Sequence, residues 1–209
     1  MVKLFINLFP LTNLSRTQEY LASLVVNTTL VALDKIYVLQ DGEVDERFRY
    51  HHKKIEYLRV DKRYTYRDFF EFINKNTKDD DINILGNSDV IFDYTIKEAN
   101  SITHKECYAL CRWDKFKGET VLFGSGSQDS WIFRGKITIP KYCDFFLGIP
   151  GCDNRIAWEL REVGYLMSNP AFSIRSFHIH ESDFKTYNEA TVKIPQPHLF
   201  ITPKIHNNF

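Results

Sequence analysis

The chain carries no excess charge of either sign. Its 27 Lys and Arg balance its 27 Asp and Glu, so no net field draws it to nucleic acid or to an anionic membrane, and neither is expected as a partner. It has no Cys-x-x-Cys spacing. Cys107, Cys111, Cys143 and Cys152 stand apart in apolar or strand-like stretches, which argues against a zinc ribbon or redox pair and predicts free thiols in a reducing compartment, the cytoplasm. An apolar run long enough to cross a bilayer is also missing. The N-terminus, Met-Val-Lys-Leu-Phe-Ile-Asn-Leu-Phe-Pro, is apolar but lacks a basic n-region and a small-residue cleavage site, so it reads as a first buried strand. The glycine-rich stretch Gly124–Trp131 has no Gly-Lys-Ser/Thr after it and is not a P-loop.

What is present suits one globular domain. A length of 209 residues supports one sizeable core and is short for two. Strand Val2–Phe9, a helix from a Ser15/Gln18 capping box with Tyr20, Leu21, Leu24, Val25 and Thr28 inward, and strand Lys35–Leu39 make a βαβ unit. Asp41 follows, either as a turn residue or as a carboxylate at the ligand-binding end of a sheet. A third strand is expected over Ile55–Val60. Thr65 and Asp68 then open a helix carrying Phe69, Phe70, Phe72 and Ile73, whose first turn, with Arg63, Tyr66 and Arg67, would aim positive charge and free N–H groups at the strand ends.

The stretch Ile82–Asp93 organises the rest. A short apolar strand stops at Gly86 and presents Asn87, Ser88 and Asp89, polar groups carried to the end of a sheet where α/β proteins bind ligands. Lys78-Asp79-Asp80-Asp81 is literally acidic enough for a metal, but it precedes the strand, at the opposite end, and reads as a solvated loop. Thr95 and Glu98 cap a further helix. Cys107–Trp113 is a strand ending in Arg112-Trp113-Asp114, suited to a sugar ring and equally to an Arg–Asp anchored loop. Gln128 and Asp129 would hydrogen-bond sugar hydroxyls, while Trp131 belongs to the core. After an apolar strand Asp144–Leu147, Asp153 opens a helix that Gly164 ends; it serves as N-cap or, ionised by the helix dipole, as a general base. Pro170–His180 is expected as a last strand with His178 and His180 on one face, placed to ligate a metal. Residues 191–209, proline-containing, read as an extension or linker to a further domain beyond a domain of residues 1–190.

With these pieces in order, the chain resembles glycosyltransferases of the GT-A type over nearly all of residues 1–190. That resemblance implies an α/β fold with one central mixed, mostly parallel sheet flanked by helices, and a nucleotide-diphospho-sugar site. Asn87-Ser88-Asp89 is similar to the family's acidic metal motif with Asn in place of the first Asp, which leaves Asp89 as main ligand to Mn²⁺ or Mg²⁺, joined by His180 or His178. Gly-Ile-Pro-Gly-Cys-Asp153 is similar to the glycine-rich turn whose second carboxylate is the base of inverting members; Cys152 replaces the first. Asp41 corresponds to the uracil-binding Asp. Asn-Ser-Asp-Val-Ile-Phe-Asp, Gln-Asp-Ser-Trp-Ile-Phe and Ile-Pro-Gly-Cys-Asp-Asn-Arg are further similar to the N-terminal domains of multidomain glycosyltransferases with which large chlorella viruses glycosylate their major capsid protein. The resemblance implies a UDP-sugar donor of the rhamnose or glucose type and a glycan acceptor on a glycoprotein. In the assignment, Asp153 is catalytic; Asp41, Arg63, Asn87, Ser88, Asp89, Gln128 and Asp129 hold the donor; Arg112 and Trp113 shape the sugar pockets. Two rivals keep the fold: a sugar nucleotidyltransferase, which wants a basic glycine-rich loop after the first strand where Asn7-Leu-Phe-Pro10 stands, and a carbohydrate-binding or scaffolding module, favoured by Asn87 and Cys152 at carboxylate positions.

Overall fold

A computed structural model describes residues 1–8, 14–42, 46, 49–116, 119–124, 126–178 and 193–205. Its centre is a seven-stranded sheet in the order β10-β6-β9-β4-β1-β2-β3, built from β1 (Val2–Leu8), β2 (Lys35–Asp41), β3 (Ile55–Val60), β4 (Ile82–Gly86), β6 (Glu106–Leu110), β9 (Ser130–Arg134) and β10 (Leu166–Ser168). β9 alone runs against its neighbours β4 and β6; every other pairing in the sheet is parallel. β1 and β4 are buried along their whole length, as parallel strands covered on both faces must be. The fold is the mixed, mostly parallel α/β sheet expected from the alternating strand and helix pattern.

One face is covered by α2 (Tyr66–Asn76) and α3 (Cys152–Glu162). Their apolar sides, Phe69, Phe70 and Ile73 with Ile156, Ala157 and Leu160, meet Phe5, Leu85, Trp131 and Phe133 from the sheet. The Thr65/Asp68 capping box of α2 forms as expected. Its first amides are not free for a ligand, however. Tyr66 and Arg67 donate their N–H groups to Phe145 and Cys143 carbonyls, at 3.0 Å each. This corrects two expectations together: Asp144–Leu147 is no strand, apart from an isolated bridge between Thr65 and Phe146, because its carbonyls are turned to the helix terminus that needs them.

The other face takes α1 (Leu14–Thr29). Ser15 lies inside this helix, not at its cap, and the buried side is rotated from the apolar stripe: Arg16, Glu19, Tyr20, Ser23, Leu24, Asn27 and Thr28 are buried while Val25 is exposed. Hydrophobic periodicity misses that side because it is polar for a reason. Asn27 donates to Val90 O and accepts from Phe92 N–H, both at 3.0 Å, which ties α1 to a second, four-stranded sheet in the order β5-β11-β7-β8. That sheet comprises β5 (Val90–Phe92), β7 (Trp113–Phe116), β8 (Glu119–Leu122) and β11 (Ser176–His178).

Three further expectations are revised. Pro170–Ile174 is a turn, with Ser173 and Ile174 amides both on the Pro170 carbonyl, so among the described residues the last strand begins only at Ser176, as β11. His180 lies outside the described residues. The Thr95 helix is a 3₁₀ helix, Tyr94–Ser101, capped by the Asp93 side chain. Asp79 and Asp80 are solvated, but Asp81 is buried against Lys3 and the N-terminal ammonium. All four cysteines are buried free thiols, and no described helix is long and apolar enough to cross a membrane.

Candidate active site

The carboxyl ends of β1 and β4 open into a cleft of about 880 Å³. The chain passes from β1 to β2 and β3 on one side and returns with β4 on the other, so this is the switch point where open α/β sheets bind ligands. Asn7, Asn87, Ser88 and Asp89 line it from the strand ends, Arg16 and Tyr20 from α1, Arg63 and Tyr64 from the approach to α2, and Asp153 and Asn154 from α3. Ser88 Oγ donates to the Asn7 carbonyl, which joins the two strand ends directly.

Asp89 is set by strand pairing. β11 lies antiparallel to β5 with His178 opposite Val90, and this puts His178 Nε2 at 2.9 Å from Asp89 Oδ2. The Arg16 guanidinium reaches the same oxygen from α1 and also bonds Glu19 at 2.5 Å. Burial by itself would raise the Asp89 pKa, but the bonds and charges of His178 and Arg16 outweigh it and hold the carboxyl down at about 2. Asp89 is therefore ionised throughout the neutral range. Arg16 left no hydrophobic signal, because a cation between Ser15 and Thr17 looks like a solvated residue; the signals that could have found it were Glu19 at i+3 and the inward Tyr20 at i+4, whose ring it covers.

Asp129 has little capacity left for a ligand. Arg112 Nη1 lies 3.1 and 3.2 Å from its two oxygens, and Asn87 Nδ2 donates to Oδ1 at 2.8 Å. Arg112 also binds Asp114, so the Arg–Asp anchor anticipated beside the sugar-pocket alternative is formed. Trp113 does not line the cleft; its indole N–H goes to the Ala171 carbonyl at 3.0 Å and its ring packs edge-on to Phe172. Asp41 ends β2 and meets the cleft through Asn7, whose Nδ2 donates to it at 3.1 Å; burial raises its pKa despite that bond. Arg63 donates to the Leu147 carbonyl at 2.6 Å and lies over the Phe146 ring. Trp131 is core, 1% exposed, with only its edge at the cleft floor.

Asp153 sits in the first turn of α3 without being its cap. Gly151 holds the cap position in the left-handed region, φ 81°, with no side-chain bond. Asp153 Oδ2 instead accepts the Gln128 N–H at 2.9 Å, so the glycine-rich loop and the helix start are stitched together through the carboxylate. Burial raises its pKa above the usual carboxylate value, against the lowering effect of amide bonds from Gln128, Asn154 and its own backbone and of the Ser127 hydroxyl. Of the three carboxylates that line the cleft, Asp89 has its pKa lowered, while burial raises those of Asp129 and the half-buried Asp153.

A divalent ion finds a partial donor set. Among the described residues no cluster of three or more His, Cys, Asp or Glu exists for one. Asp89 Oδ2 and His178 Nε2, hydrogen-bonded to each other at 2.9 Å, are two donors of the kind that a divalent-ion site completes with water and other oxygen ligands. An ion there would be held by Asp89 and His178, with the Arg16 guanidinium on the same Asp89 oxygen.

No protein-family model and no curated protein matches the sequence. Among solved structures, the chain is similar to the mannosyltransferase PcManGT from Pyrobaculum calidifontis, in complex with GDP-Man and Mn²⁺: 11% identity, TM-score 0.49, over 81% of this chain and 54% of that one. The chain thus spans about half of that enzyme's length.

Proposed function

We propose that this chain is a GT-A type glycosyltransferase that moves a hexose from a nucleotide sugar, UDP-glucose or UDP-rhamnose, to a hydroxyl of a glycan, with inversion. The observation that carries the reading is the pairing, within one cleft at the switch point of the sheet, of an ionised carboxylate cluster, Asp89–Arg16–His178, with a separate, half-buried carboxylate of raised pKa, Asp153, at the start of α3. The cleft volume suits a ligand of nucleotide-sugar size.

In this reading Asn7 and Asp41 meet the nucleobase, and Arg16 and Arg63 face the diphosphate. Mn²⁺ or Mg²⁺ held by Asp89 and His178 supplies neutralisation of the charge that develops on the departing nucleotide. Asp153 takes the proton of the acceptor hydroxyl as that oxygen bonds to the anomeric carbon and the bond to the diphosphate breaks. Gln128 N–H fixes the carboxylate in place for this step. The reading further takes a capsid glycoprotein as the final acceptor and cytoplasmic work alongside further domains, on the resemblance of the three sequence stretches alone.

The test is calorimetric titration of UDP with Mn²⁺ and then with a chelator, on the wild type, Asp89→Ala and the near-isosteric Asp89→Asn. Metal-dependent binding that both substitutions remove is expected. Absence of UDP binding under either condition would overturn the reading and leave a carbohydrate-binding module as the better account.

A further inference from the structure

Residues 193–205, part of the 191–209 stretch expected as an extension or the start of a linker, are bonded to the body of the domain. Ile194 N–H donates to the Pro150 carbonyl and Leu199 N–H to the Asn154 carbonyl, each at 2.9 Å. The Arg155 guanidinium donates to the carbonyls of Pro195 and Gln196 at 3.1 and 3.0 Å. At the far end Asn169 Nδ2 reaches the Ile201 carbonyl at 3.1 Å, and Lys204 N–H returns to the Asn169 carbonyl at 2.8 Å. Ile201 enters the core beneath. The segment is a strap, tied at both ends, across the helix turn that carries Asp153.

Its contact with that turn is close enough to need a glycine. A Cβ on Gly151, besides being strained at φ 81°, would lie 3.0 Å from the Ile194 carbonyl oxygen and 3.2 Å from the His198 ring. Because the strap is fastened to Asn169, just beyond β10, it stands on the β10 and β6 side of the cleft, while Asn7 and Asp41 stand on the β1 and β2 side.

Three strap residues line the same cleft as Asp153: Lys193, His198 and Phe200. Phe200 is 60% exposed although the residues around it are bonded or buried. Phe200 lines the cleft that Asp153 also lines and packs edge-to-face with the His198 ring, and an exposed aromatic ring is a platform for the C–H face of a sugar ring. His198 adds polarity of defined sense. Its Nε2 lies 3.0 Å from the Ile194 carbonyl, which can only accept, so Nε2 carries the hydrogen and Nδ1 of the neutral ring accepts a hydroxyl.

We propose that the strap forms the acceptor subsite: a pyranoside stacks on Phe200, bonds His198 and so presents one hydroxyl to Asp153. This rests on the glycosyltransferase reading and names the residues that choose its acceptor. Chain ending before residue 193 would lack that wall.

Saturation-transfer NMR on the full chain loaded with UDP and Mn²⁺, using a panel of methyl pyranosides as probes, tests it. At least one pyranoside binds the wild type, Phe200→Ala and His198→Ala weaken it by about tenfold each, and Phe200→Tyr retains it, with UDP affinity unchanged in all. Unchanged UDP affinity also reports that the variants fold. A pyranoside that binds Phe200→Ala as tightly as the wild type, or a UDP-loaded wild type that binds none, overturns the subsite. Failure of the wild type to bind UDP is a different result: it removes the glycosyltransferase reading itself.

Discussion

Asp89 and Asp153 are chemically the same group in the same cleft, and their neighbours make them different reagents. Asp89 has a guanidinium and an imidazole on one oxygen; Asp153 has amides and a hydroxyl, and among the described residues no cation is bonded to it. A charge-paired carboxylate is a poor proton acceptor, whereas one whose proton affinity is raised by burial is a better base when ionised. Asp153→Asn is therefore expected to leave UDP affinity intact and to lower turnover by a factor of about 10²–10⁴. Because the Asp153 pKa is raised, the acid limb of the wild-type rate profile should lie above the ordinary carboxylate value and should vanish in the variant. Steady-state kinetics against pH, with calorimetry of UDP, reads both. Near wild-type turnover in Asp153→Asn would reduce the residue to a stitch between loop and helix.

Among the elements, α2 and α3 show two ways to start a helix beside a site. α2 spends its first amides on its own capping box and on the Cys143 and Phe145 carbonyls, so it braces the cleft wall and offers only the Arg63 and Tyr64 side chains that precede it. α3 starts on a glycine without a side-chain cap and keeps its first turn for Asp153. The α2 cap should then behave as a pure stability feature. Thr65→Ala is expected to cost about 1 kcal/mol, the usual price of a lost N-cap, seen as a lower urea midpoint with an unchanged m value, and to leave UDP affinity unaltered. A cap variant that weakens UDP binding at equal folding would show that α2 touches the ligand through its terminus after all.

At the scale of the whole molecule, long-range ion pairs join the two ends of the chain to its middle. Asp81 meets Lys3 and the N-terminal ammonium, and Asp89 joins α1 to β11. Both carboxyls are held at about 2, burial being outweighed by Lys3, Lys78 N–H and the N-terminus for Asp81 and by His178 and Arg16 for Asp89. A depressed folded-state pKa contributes stability that is present above the unfolded value of about 3.9 and is lost as pH falls through the folded one. Stability measured by urea unfolding should accordingly be held down to about pH 4 and decline steeply from there toward about pH 2. A flat profile across that window would mean that these pairs form equally in the unfolded chain.

Much of this architecture is written locally. The strands over Val2, Lys35, Ile55 and Ile82, the Thr65 capping box and the Gly164 stop depend on patterns within a few residues, and each forms where the pattern lies. So does the placement of Asn87, Ser88 and Asp89 at the end of a buried strand. The sequence by itself thus determined an α/β sheet and the end of it that holds polar groups, since alternation of apolar strand and amphipathic helix leaves few other ways to bury both. Arg16, the strap and the β5–β11 pairing were decided only in three dimensions. Arg16 meets Asp89 across 73 residues and His178 meets it across 89, distances at which no periodicity carries information. Phe200 and His198 follow two prolines that read as a linker, and only bonds to Asn154 and Asn169 turn that stretch into a wall. Buried polar contacts of this kind leave no hydrophobic signature in the chain; their partners exist only once the sheet has brought them together.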